Sequence, residues 1–123
     1  MSQFVYLFRA SAAEMREAMG PERAQQSLQA MMAWFKDLEQ KGYLKNPGLP
    51  LEPTGHVVRG KGGVITDGPY AEAKDMVLGF IVIEARDLAL AIELARGCPM
   101  VAGGATVEIR PVGQSTEASI TKE

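Results

Sequence analysis

The sequence predicts an α+β protein of the ferredoxin-like type, with the order strand, helix, strand, strand, helix, strand. Residues 3–8 and 76–83 are short apolar, β-forming runs, as in strands covered on both faces. Residues 22–41 repeat apolar side chains at steps of four and three, the spacing of one helical face. Residues 106–112 alternate apolar and charged side chains, as an outer strand does. The expected sheet is antiparallel and four-stranded, with an extra hairpin strand.

The first half of the chain contains the long predicted helix. A capping-box pattern predicts a short helix over 12–19 before it. The long helix over 22–41 should end at Gly42, since glycine tolerates the conformation of a helix end. Its apolar face is expected to comprise Ala24, Leu28, Met31, Phe35 and Leu38, with Trp34 also packing. Residues 43–53 contain three prolines and predict an irregular connection, with the next strand beginning near 51–54.

The second half begins with a predicted hairpin. Residues 56–59 and 64–66 are short β-forming runs around a glycine-rich turn. After the strand over 76–83, Asp87 is a good N-cap for a second helix, which Gly97 should end. The inward stripe of that helix is expected to be Leu88, Ala91, Ile92 and Ala95.

Length and composition indicate one domain, residues 1–113, followed by a polar tail, 114–123. The net charge of −2 at pH 7 argues against direct nucleic-acid binding. The single cysteine, Cys98, excludes an internal disulfide and suits a reducing compartment, so we expect a cytoplasmic location and a buried thiol. No apolar run reaches the roughly 20 residues of a membrane span. No residue cluster has metal-ligand spacing, so neither a metal nor a cofactor is expected.

Residues 64–75 combine the strongest local constraints in the chain. Three β-forming residues lead into Asp67, Gly68 and Pro69, a turn signal because the carboxylate can accept backbone hydrogen bonds and proline fixes its own φ. Proline also suits the first turn of a helix, which predicts one helical turn over 70–75. Asp67 would then lie at a strand end beside a helix start, a common place for functional residues.

This stretch, together with residues 78–83, 98–99 and 103–112, resembles the signature of the DGPF branch of the YCII-related family. The resemblance covers most of the chain and implies a ferredoxin-like fold assembled as a dimeric α/β barrel. A homodimer also follows from the residues, because helices on one face leave the other face of two apolar central strands for a second copy to cover. The cavity between the sheets, or a cleft near residue 67, is the expected pocket.

Asp67 and His56 are the candidate catalytic residues. Asp67 is either a turn-capping acid or a general acid–base group, and both roles can coexist because a capped carboxylate is also a positioned one. Its pKa, about 3.9 when unperturbed, must rise for it to act as a base near neutrality. His56, the only histidine, is a polar strand residue unless the hairpin brings it to Asp67. The wider family resemblance implies a His–Asp pair with the histidine near the first helix, where this chain has none.

Arg9, Tyr70, Glu72 and Lys74 are the candidate ligand-binding residues. Arg9 ends a central strand, and its planar fork of donors suits a carboxylate or a phosphate. Tyr70 belongs to the motif described above. The family pattern carries an acid and a lysine at positions 72 and 74, although such residues more often form a solvated helical turn.

Two functions from different classes remain open. One is a cofactor-free enzyme that catalyses proton transfer or elimination on a small metabolite, with Asp67 as the acid–base group, as the family resemblance implies. The other is a non-catalytic ligand-binding or regulatory accessory protein, since some relatives occur beside or fused to sigma-factor-like regulators. In both cases a second copy of the chain is an expected partner, together with a small-molecule ligand. The accessory-protein alternative also leaves open a protein partner on the outer surface.

Overall fold

The computed structural model describes residues 1–11, 21–52, 54–68 and 76–113. These residues form six strands and three helices. The strands are β1 (Ser2–Ala10), β2 (Leu44–Pro50), β3 (Gly55–Val58), β4 (Ile65–Gly68), β5 (Met76–Ala85) and β6 (Thr106–Pro111). The helices are α1 (Pro21–Gln40), α2 (Leu88–Arg96) and α3 (Pro99–Ala102). The helix expected over 12–19, the turn expected over 70–75 and the tail 114–123 lie outside the described residues.

One antiparallel sheet contains β2, β5, β1 and β6 in that order, and β3 pairs with β4 in a second sheet. The ferredoxin-like prediction is confirmed, with β1 and β5 at the centre of the four-stranded sheet. The prediction for residues 43–53 is wrong, because β2 lies there and supplies the outer strand that was assigned to the hairpin. An edge strand tolerates prolines, since one side of its backbone needs no partner. The register of β2 with β5 shifts on both sides of Asn46.

The core lies between the sheet and the helices. Alternate side chains of a strand point to opposite faces, and the buried set on β1 is Phe4, Tyr6, Phe8 and Ala10. Trp34 of α1 stacks on Tyr6 with ring centroids 6.2 Å apart, and one turn further Leu38 is also buried. The expected packing of Trp34 and Leu38 is therefore confirmed. The expectation for Leu28 is wrong, because its side chain is 61% exposed.

The second helix packs through small residues. Asp87 is confirmed as its N-cap, since the carboxylate accepts a hydrogen bond from the Leu90 backbone N–H at 2.9 Å. Ala91 and Ala95 are buried, whereas Leu88 and Ile92 are exposed, so half of the predicted stripe is wrong. The small side chains let α2 approach β1 closely, and the Tyr6 hydroxyl donates a hydrogen bond to the Ala91 carbonyl. Pro99 opens the short α3, which was not predicted.

The other face of the four-stranded sheet is less covered. Val5 and Leu7 of β1 pair with Val82 and Phe80 of β5, and all four side chains are only half-buried. We call this surface the open face. Because α1 and α2 contact the opposite face of β1, through Trp34 and Ala91, neither of these helices covers it.

Candidate functional site

The hairpin of β3 and β4 sets the two predicted catalytic residues opposite each other. His56 pairs with Asp67 in the strand register, and the turn is closed by a 2.9 Å hydrogen bond from the Arg59 N–H to the Val64 carbonyl. Directly opposite residues on antiparallel strands have Cβ atoms about 4.5–5.5 Å apart. The His56 side chain is exposed, whereas the structure describes only the backbone of Asp67.

Within the described residues, the hairpin is a two-stranded unit that is separate from the four-stranded sheet. Its strands form a sheet of their own, and neither makes an extensive contact with another of the described helices or strands. Its connections join it to one end of the four-stranded sheet. The chain leaves β2 after Pro50, which pairs with Gly79, and rejoins the sheet at Met76, which pairs with Ala10. The hairpin therefore branches off at the end of the sheet where β1 finishes.

Arg9 lies at that same end. The β1–β5 register shifts between Phe8 and Arg9, so the arginine sits at an irregularity of the central pair of strands. Its Nη1 donates to Glu108 Oε1 of β6 at 2.6 Å, and the two side chains are 33% and 34% exposed. Arg110 Nη1 lies 3.9 Å from the other carboxylate oxygen of Glu108. Two guanidinium groups thus lie beside one carboxylate, and the planar fork of donors of a guanidinium group suits an anionic ligand.

The strand register thus pairs two predicted residues, His56 and Asp67, whereas Arg9 pairs with Glu108, which was not predicted. The remaining predicted residues, Tyr70, Glu72 and Lys74, lie outside the described part of the chain. The sequence did not predict Glu108 as a site residue. Glu108 alternates with apolar residues along β6, which indicates that its side chain lies on the opposite face of the strand. That pattern does not identify its partner, 99 residues earlier in the chain.

Two titratable side chains are buried in the core, away from both pairs. Burial raises the pKa of the Cys98 thiol, and Cys98 is 2% exposed with its Sγ 3.8 Å from Met31 Sδ. Burial likewise raises the pKa of the Tyr6 hydroxyl, with a smaller contribution from Cys98. A neutral, buried thiol is a poor nucleophile, and the prediction that Cys98 is a buried hydrophobe is confirmed.

The described residues contain no cluster of three or more histidine, cysteine and acidic side chains arranged to hold a metal ion. None of the helices in the described ranges is both long and apolar enough to cross a membrane.

Comparison with known proteins gives a family and a fold. A family profile for the YCII-related domain matches residues 3–114, and no curated protein matches the sequence significantly. Among solved structures, the 5-chloro-2-hydroxyhydroquinone dehydrochlorinase TftG from Burkholderia phenoliruptrix AC1100, in complex with 2,5-dihydroxybenzoquinone, has a TM-score of 0.55 and 15% sequence identity. The match covers 92% of this chain and 95% of that one. At this identity the likeness shows the fold alone.

Proposed function

Because the chain belongs to the YCII-related domain family, we propose that it is a cofactor-free enzyme of the DGPF branch that catalyses proton transfer or elimination on a small metabolite. Asp67 is the acid–base group, and His56 is its partner. The observation that carries this proposal is the hairpin register, which sets His56 directly opposite Asp67. At such a cross-strand position an imidazole and a carboxylate can share a hydrogen bond.

The proposed reaction needs only these two groups. In the elimination of hydrogen chloride from a chlorinated hydroquinone, the ring carbon that bears chlorine first takes a proton while the Asp67 carboxylate takes the proton of a ring hydroxyl group, which becomes a carbonyl. A second hydroxyl group then loses its proton and becomes a carbonyl, the adjacent ring double bond shifts towards the carbon that bears chlorine, and chloride departs with its bonding pair. His56 holds the carboxylate in position, supplies the proton that the ring carbon takes, and then accepts the proton of the second hydroxyl group.

The proposed substrate is a small hydroxylated aromatic compound that is acidic enough to carry negative charge. Support comes from the pair of guanidinium groups around Glu108, since Arg9 can exchange its carboxylate partner for a phenolate. Support by analogy comes from the fold neighbour, a dehydrochlorinase with a bound dihydroxybenzoquinone. Loss of hydrogen chloride from a hydroquinone is an elimination of the kind that an acid–base pair can assist.

The proposed functional form is a homodimer. The open face places Val5, Leu7, Phe80 and Val82 on one surface, and an apolar face of this kind is stabilised when another surface covers it. A second copy supplies that cover in the commonest form of assembly, a two-fold dimer. The proposed location is the cytoplasm, which the single unpaired cysteine favours.

The proposal is tested by turnover of 5-chloro-2-hydroxyhydroquinone and a panel of halogenated and non-halogenated hydroxylated aromatics. Chloride release reports elimination, and exchange of ring hydrogens in D₂O, followed by NMR, reports proton transfer. Asp67→Asn should abolish both signals with a nearly unchanged melting temperature, because the amide keeps the shape and loses the base. Asp37→Asn is the matched control, since Asp37 is an exposed aspartate paired with Lys41 on α1.

Three outcomes distinguish the proposed enzyme from a structural role of Asp67 and from a ligand-binding protein. Loss of turnover in Asp67→Asn alone supports the enzyme. Full turnover in Asp67→Asn, with a melting temperature well below that of Asp37→Asn, makes Asp67 a turn cap and refutes the catalytic role. Binding of a panel compound that is recovered unchanged after long incubation with the unsubstituted protein refutes catalysis and supports the ligand-binding alternative.

A further inference from the structure

Glu108 and Arg110 lie beside each other on the open face of the sheet. Glu108 is opposite Leu7 in the β1–β6 register, and Arg110 is opposite Val5. Opposite residues of an antiparallel pair share a face, and the residues that alternate with Glu108 and Arg110 along β6 pack against the core. Two charged side chains therefore adjoin two apolar ones that are half-buried.

The carboxylate of Glu108 is held at one oxygen atom and open at the other. Oε1 accepts a hydrogen bond from Arg9 Nη1 at 2.6 Å, which fixes the direction of the group. Oε2 accepts no hydrogen bond from the described residues, and Arg110 Nη1 lies 3.9 Å from it, too far for a direct hydrogen bond. A charged oxygen on a half-buried side chain is stabilised by a hydrogen-bond donor, so Oε2 is the atom of this group that can receive one from a ligand.

The gap between Glu108 Oε2 and Arg110 Nη1 has the width of one bridging oxygen atom. An oxygen about 2.8 Å from each of the two atoms fits across it. That oxygen must accept from the guanidinium group, which only donates, and donate to the carboxylate, which only accepts. A hydroxyl group does both, whereas a phenolate oxygen has no hydrogen to donate and an ammonium group has no lone pair. The gap therefore selects a neutral hydroxyl group.

The apolar neighbours favour a ring attached to that hydroxyl group over water. Val5 and Leu7 lie directly across from Arg110 and Glu108, and side chains in such positions have Cβ atoms about 4.5–5.5 Å apart. An aromatic ring whose hydroxyl group lies in the gap can therefore rest against both apolar side chains. The ring removes apolar surface from water, and a water molecule in the gap does not.

We propose that Glu108, Arg110, Val5 and Leu7 form a subsite for a hydroxylated aromatic ring, in which a neutral ring hydroxyl group bridges Glu108 Oε2 and Arg110 Nη1. The inference rests on the proposed function, whose substrate is a hydroxylated aromatic compound, and it adds the residues that select the hydroxyl group. All four residues belong to one chain, so the subsite does not require a second copy. A site that hydrogen-bonds a hydroxyl group discriminates strongly against analogues that lack it.

A titration followed by ¹H–¹⁵N NMR of the backbone amides tests the subsite without turnover. The probes are hydroquinone, kept under anaerobic conditions, and its dimethyl ether, 1,4-dimethoxybenzene, which keeps the ring and lacks both hydroxyl hydrogens. Hydroquinone should shift the amide signals of residues 5–7 and 108–110. It should bind at least about tenfold more tightly than the ether, because the ether cannot make the hydrogen bond to a charged group.

Two variants and a control assign the preference to particular side chains. Glu108→Gln replaces the charged acceptor by a neutral one and should reduce the preference for hydroquinone over the ether to about threefold or less. Arg110→Met removes the donor, leaves the Arg9–Glu108 pair in place and should weaken hydroquinone binding at least about fivefold. Glu93→Gln is the matched control, since Glu93 is an exposed glutamate paired with Arg96 at 3.2 Å on α2, and it should keep the full preference.

The outcomes separate this subsite from the proposed reaction. Equal affinity for the two probes, or a hydroquinone titration that leaves residues 5–7 and 108–110 unshifted, overturns the subsite, and so does an undiminished preference in Glu108→Gln. Turnover with an unchanged KM in both Glu108→Gln and Arg110→Met supports the chemistry and overturns the subsite. Selective binding of hydroquinone at these residues, in a protein that turns over no panel compound, supports the subsite and refutes only the proposed chemistry.

Discussion

Replacement of Gly48 by alanine should destabilise the fold far more than replacement of Gly42. Both glycines have positive φ, +59° at Gly48 and +81° at Gly42, so both substitutions force a side chain into a conformation that L-residues rarely adopt. They differ in their surroundings. A Cβ at Gly48 would lie 1.6 Å from the Phe80 carbonyl oxygen on β5, whereas a Cβ at Gly42 has no neighbour within 4 Å.

The magnitude follows from that difference. The left-handed conformation costs a non-glycine residue about 1–2 kcal/mol, and this is the whole expected cost of Gly42→Ala. At Gly48, a contact of 1.6 Å must open beyond 3.0 Å, which separates β2 from β5 by well over 1 Å. Strain of this kind adds about 1–3 kcal/mol, and each ladder hydrogen bond that is lost adds about 1 kcal/mol. We expect Gly48→Ala to lower the free energy of unfolding by about 3–5 kcal/mol.

Thermal and urea unfolding, followed by circular dichroism, measure both variants against the unsubstituted protein. At about 3–5 °C per kcal/mol for a chain of this size, Gly42→Ala should lower the melting temperature by about 5 °C and Gly48→Ala by more than about 10 °C. Melting temperatures within about 2 °C of each other would refute the close approach of β2 to β5.

Three further predictions concern stability and charge. Asp87→Ala removes the cap of α2 and should cost about 1 kcal/mol of unfolding free energy in a urea titration; an unchanged midpoint would contradict the cap. A double-mutant cycle with Arg9→Met and Glu108→Gln should give a coupling free energy of about 0.5–1 kcal/mol that shrinks in high salt, because both side chains remain partly solvated. The free energy of unfolding should fall above about pH 9, because the ordinary pKa values of the Cys98 thiol and the Tyr6 hydroxyl are 9.0 and 10.0 and burial raises both. The unfolded chain then releases protons that the folded one keeps, so rising pH favours unfolding, and Cys98→Ala should flatten that fall in urea titrations over this range.

Hydrophobic pattern predicted the four-stranded sheet but missed one of its strands. β1 and β5 could be recognised because both faces of a central strand are apolar. β2 contains Pro47 and Pro50, and Gly48 in a positive-φ conformation, all of which indicate a turn when read locally. It is nonetheless a strand, because an edge position needs backbone pairing on one side only and tolerates irregular register.

Helical periodicity identified a face without showing how much of it the sheet covers. In α1, Leu38 of the predicted face is buried and Leu28 is exposed, since the spacing of residues does not say which turns of a helix cross the sheet. In α2 the close approach to β1 at Ala91 leaves the larger Leu88 and Ile92 to the edges of the contact. The size of each side chain decides which residues of α2 are buried against β1, and helical periodicity does not measure side-chain size.

The candidate site depends on one pairing between residues close in sequence and on one between residues far apart, and local sequence patterns predict only the first kind. His56 and Asp67 are separated by a short turn, so the glycine-rich segment predicted a hairpin, but a slip of one residue would have moved one of them to the opposite face. Arg9 and Glu108 lie 99 residues apart and meet only because β6 pairs beside β1, which follows from the order of the whole sheet. A substitution that shifts the hairpin register should therefore abolish the proposed acid–base pair without changing either residue, whereas the ion pair should survive any change confined to the hairpin.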